Sequence, residues 1–132
     1  MPVKSILEGL KGDVFSFVRA NGRCPARQFL NGIHASMRLR FQGSFQCFGK
    51  MGQSYVNDER FQPLADEGKP LWVYKEDSLR ICCSRAPAGE KIRVVLFNGW
   101  EKSKGKKGQE SREIAAAVNL FNESLEEGGG TR

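Results

Sequence analysis

The sequence predicts an α+β domain built on a small, mainly antiparallel sheet, in the order β-α-α-β-β-β-α. Three observations predict it. Three strand-like runs, Leu71–Glu76, Leu79–Arg85 and Ile92–Phe97, follow one another with short links, and such links force antiparallel neighbours. Two stretches of helical apolar spacing precede them and make a helical hairpin. A third amphipathic stretch closes the chain as a C-terminal helix. A chain of 132 residues is one domain with room for a real core. Its 39% apolar and 27% charged residues are those of a globular protein and exclude disorder as the default.

Each element has its own signal. Residues 1–12 form a lead-in with one helical turn at Ser5–Leu10, and the domain proper spans 13–127. Asp13–Ala20 alternates Val14, Ser16 and Val18 with Phe15, Phe17 and Arg19, a strand signal ended by the turn pair Asn21-Gly22. Pro25 suits a first helical position, and Ala26, Phe29, Leu30 and Ile33 then recur at helical spacing. The second helix carries the stripe Met37, Phe41, Phe45, Phe48 and Met51, read as core or as a partner-binding groove, with Gly43 and Gly49 weakening it and Gly52 stopping it. Tyr55–Pro70 is a turn-rich acidic connection anchored by Phe61 and Leu64. The last helix runs from about Gln109 to Glu126 on Ile114, Ala117, Val118, Phe121 and Leu125, and residues 128–132 are a flexible tail.

The net charge of +6 favours an acidic partner or nucleic acid. It is also segregated. Arg38, Arg40 and Lys50 share a stretch without acids, Lys102 to Lys107 holds four lysines, and acids collect at Asp58–Glu67 and Glu123–Glu127. No run is long enough to span a membrane and the N-terminus lacks a signal-peptide pattern, so a cytoplasmic protein without membrane contact is expected. Cys24, Cys47, Cys82 and Cys83 make no CxxC, and His34 is the single histidine. Four reduced thiols and no metal site are expected, with Cys82 and Cys83 on opposite strand faces.

The stretch from Lys91 to Lys107 combines a strand with a cationic exit. Ile92 to Phe97 is nearly all aliphatic; Asn98-Gly99 and Trp100 follow, then Lys102, Lys104, Lys106 and Lys107. Leu71-Trp72-Val73-Tyr74-Lys75, Arg80-Ile81, Val94 to Lys104 and Glu113-Ile114-Ala115-Ala116-Ala117 occur in one order and spacing. From Leu71 to Leu125 this resembles the RelE/ParE superfamily of type II toxin–antitoxin toxins, in its HigB-like, phage-derived branch. The resemblance implies a RelE-like fold and a ribosome-dependent mRNA endoribonuclease (an mRNA interferase) working without metal or cofactor. It also implies a cognate antitoxin, a helix-turn-helix protein, that neutralises it. The alternative is a non-catalytic protein of the same fold that inhibits gyrase or binds only RNA or a partner. By position, Arg80 matches the strand arginine at the scissile phosphate, Lys102 and Lys104 the basic cluster after the last strand, and Lys75 the basic residue of the preceding strand. The chain departs from the family pattern at Val73, at Cys83, at Gly108-Gln109-Glu110, and in having no Tyr or His after Tyr74.

Metal-free RNA cleavage must deprotonate the 2′-hydroxyl, neutralise the pentacoordinate phosphate and protonate the 5′-oxygen. The candidate catalytic residues are Arg80, whose planar fork suits phosphate, Lys102, Lys104 and Tyr74, the one phenol near the sheet. Lys75, Arg85, Lys106 and Lys107 are the candidate RNA contacts. For each cation the competing reading is a solvated charge, and for Arg85 a strand-end cap. Trp72 and Trp100 fit either base stacking or the core. His34 fits a surface position between helices.

Overall fold

The computed structural model describes residues 2–55, 59–64, 71–103 and 108–130, with side chains described through residue 126. In chain order the elements are β1 Val3–Glu8, β2 Gly12–Phe17, α1 Pro25–Gly32, α2 Ala35–Met51, a 3₁₀ turn Gly52–Ser54, β3 Phe61–Pro63, β4 Leu71–Glu76, β5 Leu79–Ala88, β6 Lys91–Glu101 and α3 Gln109–Gly130. The fold is α+β. One mixed sheet has the order β1-β2-β6-β5-β4-β3. Strands β4, β5 and β6 form the antiparallel meander that their short links require. Strands β2 and β6 pair in parallel, because the chain crosses through both first helices before returning. Among the described residues no helix is long and apolar enough to cross a membrane.

The sheet divides the interior into two cores, and period-two alternation assigns residues to them. Helices α1 and α2 cover one face, where Leu30, Phe41, Phe45 and Phe48 meet Val14, Tyr74, Ile81, Cys83 and Leu96. Helix α3 covers the other, where Ala117, Leu120 and Phe121 meet Phe17, Leu71, Cys82, Val95, Phe97 and Trp100. Cys82 and Cys83 thus lie on opposite faces; Cys47 is exposed on α2 and is not a core residue.

Several expectations are corrected. The lead-in is a strand, the outer half of a hairpin with β2. Its alternation is hidden by a bulge between Ser5 and Leu7, which turns Ile6 and Leu7 toward the same core. Phe61 anchors the connection as expected, but as part of the short edge strand β3. Helix α3 continues through Gly130, since glycine weakens a helix without forbidding it; residues 131–132 lie outside the described ones. Gly49 has a packing reason inside α2: the β1–β2 turn docks there, Lys11 N donates to Gly49 O at 2.8 Å, and a Cβ on Gly9 would stand 2.5 Å from Gly49 Cα.

Candidate nucleic-acid interface

The site begins at the β4–β5 turn. Glu76 and Leu79 close a two-residue loop, Asp77-Ser78, and Lys75 and Arg80 form the next cross-strand pair. Asp77 has φ 51°, in the left-handed region that Asp tolerates better than most residues. Lys75 shares its strand face with Leu71, and Arg80 shares its face with Cys82, so both face the α3 side. Arg80 is opposite Trp100 on β6, and Lys102 N donates to Ser78 O at 2.7 Å, which carries the ladder past the end of β6.

A bulge in β6 decides which way the lysine segment points. Cys82 pairs with Asn98 but Cys83 pairs with Leu96, so Phe97 is the extra residue. Val95 and Phe97 already face α3. Without the extra residue, Asn98, Trp100 and Lys102 would alternate to the α1–α2 face. With it, Asn98 Nδ2 donates to Glu113 O at 3.1 Å, and Trp100 joins the α3-side core. Lys102 follows in the same phase and comes beside Arg80 and Lys75.

Lys75 feels the two other cations. Burial is the first cause that lowers the Lys75 pKa, followed by the Arg80 and Lys102 charges, with Glu110 opposing. Like charges directly opposed on one face of a sheet destabilise it, so the cluster is a local cost. Arg80 Nη1 donates to Asp77 O at 2.7 Å and Leu79 O at 3.0 Å, which orients the guanidinium and, among the described residues, leaves its other N–H groups for an anion. Glu110, in the first turn of α3, accepts from Trp100 Nε1 at 3.3 Å. Chemically, the arrangement offers a planar donor fork, two ammonium groups and one carboxylate at the rim of the sheet. No protein-family model and no curated protein matches the chain.

The predicted site residues divide. Lys75, Arg80 and Lys102 are brought together. Lys104, Lys106 and Lys107 lie outside the described residues. Tyr74 points the other way: it is fully buried on the α1–α2 face, stacked on Phe61 at 4.2 Å and edge-on to Phe45 at 5.0 Å. Its hydroxyl has no hydrogen-bond partner among the described residues, and burial holds its pKa well above the ordinary phenol range. In this fold it does not reach a surface cleft, which corrects the expectation that placed it in one.

Arg85 is corrected as well. It is buried on the α1–α2 face, donating to Tyr55 O and Gln53 O at 2.7 Å and to Gly52 O at 3.3 Å. Its guanidinium lies 4.4 Å from the Trp72 ring centroid. It satisfies carbonyls just beyond the end of α2, as cations do at helix C-termini. Trp72 is therefore covered by Arg85 and Phe61, and Trp100 is 4% exposed, so both indoles serve packing. His34 is the exposed N-cap of α2, its Nδ1 accepting from Ser36 N at 3.2 Å. The sequence reading missed Glu110; the available signal was an acid in the first turn of a helix that follows a lysine-rich segment.

Proposed function

We propose that the chain is a toxin of RelE/HigB type, with a RelE-like fold, acting in the cytoplasm as a ribosome-dependent mRNA endoribonuclease and held in check by a cognate antitoxin. The observation that supports this reading is the convergence of Lys75, Arg80 and Lys102 on one sheet face, where the family resemblance puts an arginine at the scissile phosphate and basic residues on the preceding strand and after the last one. In the proposed reaction the 2′-oxygen attacks the adjacent phosphorus. A 2′,3′-cyclic phosphate forms and the bond to the 5′-oxygen breaks. Arg80 and Lys102 neutralise the pentacoordinate phosphate. Lys75, whose pKa is lowered by burial and then by its cationic neighbours, accepts the 2′-hydroxyl proton through its minor unprotonated form. The 5′-oxygen takes its proton from solvent.

Inducible expression tests this. Growth arrest with mRNA cut on ribosomes is expected, and the Arg80→Ala/Lys102→Ala variant should lose toxicity while still binding its antitoxin. Retained toxicity in that variant would sink the site. Arrest with DNA-damage signals and intact mRNA would point to gyrase instead. A second reading, RNA binding without cleavage, is favoured by the burial of Tyr74. It predicts salt-sensitive RNA binding and no effect on growth.

A further inference from the structure

A second feature uses the same turn from the other side of the sheet. A groove of about 580 Å³ lies between the α1–α2 corner and the β4–β5 turn. That volume is within the range of ordinary ligand sites. Phe29, Ile33, Met37 and Leu79 supply its apolar surface, Asp77 and Glu101 its acids, and His34 also lines it; among the described residues its lining has no Lys or Arg. In a chain of net charge +6 these two acids, less the one guanidinium paired with Asp77, leave a small local excess of negative charge. The rim already attracts a guanidinium: Arg40 Nη1 is 3.1 Å from Asp77 Oδ2, and both side chains are more than half exposed, so the contact is open to exchange.

The turn that forms this rim also positions the cationic cluster. Asp77 O accepts from Arg80 Nη1, Ser78 O accepts from Lys102 N, and Ser78 Oγ donates to Glu101 Oε2 at 3.3 Å. A group that settles against Asp77, Ser78 and Glu101 therefore presses on the backbone that holds Arg80 and Lys102. We propose that this groove docks an apolar stretch of a partner polypeptide carrying a Lys or Arg side chain, and that its occupancy acts on the cationic cluster through the Asp77-Ser78 turn. The apolar side chains fill the space beside Phe29, Ile33 and Met37. The cation meets Asp77 and Glu101. The docking half is independent of the RNA reading; the effect on the cluster rests on it only where RNA is the readout.

The test uses the full chain, isotope-labelled for NMR, and two capped peptides, Leu-Arg-Leu-Leu and Leu-Glu-Leu-Leu, without RNA. The arginine peptide at millimolar concentration should shift the amides of Phe29, Ile33, Met37 and Ser78, together with those of Arg80 and Lys102. The glutamate peptide should bind more weakly. Asp77→Gly keeps the turn's positive φ and removes one carboxylate; with Glu101→Gln it should weaken the arginine peptide by about threefold per charge. Equal binding of the two peptides, shifts centred on the exposed Leu39, or no shifts would overturn the docking site. Groove shifts without movement at Arg80 and Lys102 would overturn the coupling. Sedimentation that shows a dimer lost on Met37→Glu would assign the groove to a second copy and overturn the proposal.

Discussion

Two arginines on β5, Arg80 and Arg85, carry the same charge into different work because their positions differ in parity. Arg80 faces α3 and the cationic rim; Arg85 faces the aromatic core and three backbone carbonyls. Arg85→Ala would take its guanidinium donors from Tyr55 O and Gln53 O, while Gly52 O keeps the N–H of Tyr55, and would remove a cation stacked on Trp72. Its expected cost is about 3 kcal/mol, read as a lower midpoint in urea denaturation. Arg85→Lys should recover only part of this, because an ammonium lacks the planar fork. Arg80→Ala and Lys102→Ala should instead leave the midpoint within about 0.5 kcal/mol. Each should lower the salt dependence of RNA binding by about one phosphate contact. Lys75 adds a pH dependence. Its pKa lies below the ordinary value in the free protein, first through burial and then through its neighbours. An RNA phosphate favours the charged form, so binding is linked to proton uptake in the alkaline range. Affinity should fall as pH rises through the depressed Lys75 pKa, before an ordinary lysine would titrate. Titrating RNA binding against pH checks this, and Lys75→Arg should flatten the profile.

At the scale of elements, what was legible in the sequence follows from how regular each pattern is. The meander β4–β5–β6 was readable because its strands are apolar and their links short. β1 was not, since its bulge removes the alternation, and three-residue β3 is too short to show a period. The site was legible to the same degree. Parity sets Lys75 and Arg80 on one face and Tyr74 on the other, but the sequence did not show that α1 and α2 seal the Tyr74 face. The bulge at Phe97 was also invisible, although it re-aims Lys102. Gly99 sits two residues beyond this bulge, and a Cβ there would stand 2.3 Å from Phe29 Cδ2. Gly99→Ala should therefore push α1 away from β6, at a cost of about 1–3 kcal/mol in urea denaturation. Because Phe29 also lines the groove, the same substitution should shift the Ile33 and Met37 amides in NMR spectra. An unchanged midpoint would mean that Phe29 turns aside without moving the helix.

The whole molecule combines a basic exterior with weak acids sealed in its interior, and this fixes its response to alkali. Burial raises the Tyr74 hydroxyl and the Cys83 thiol well above their ordinary pKa values, and Tyr55 moves in the same direction. In the unfolded chain the thiol ionises near pH 8.5 and the phenols near pH 10. The native state keeps its protons over that range while the unfolded state loses them. Stability therefore falls as pH rises, by about 1.4 kcal/mol per pH unit for each group held neutral. Lys75 works in the opposite sense, because its depressed pKa means the native state releases a proton first. It is one partly exposed group against two fully buried ones, so the balance favours loss. Urea midpoints measured from pH 7 to pH 11 should hold to about pH 8, decline first with the thiol, and decline more steeply past about pH 10. Cys83→Ala should remove the earlier decline at the cost of a small cavity. Tyr74→Phe should reduce the later one. It should also be close to neutral or stabilising at pH 7, because it deletes a buried hydroxyl that has no partner among the described residues. A Tyr74→Phe variant that loses more than about 1 kcal/mol at neutral pH would show that the hydroxyl is satisfied after all, in a core more polar than the one described.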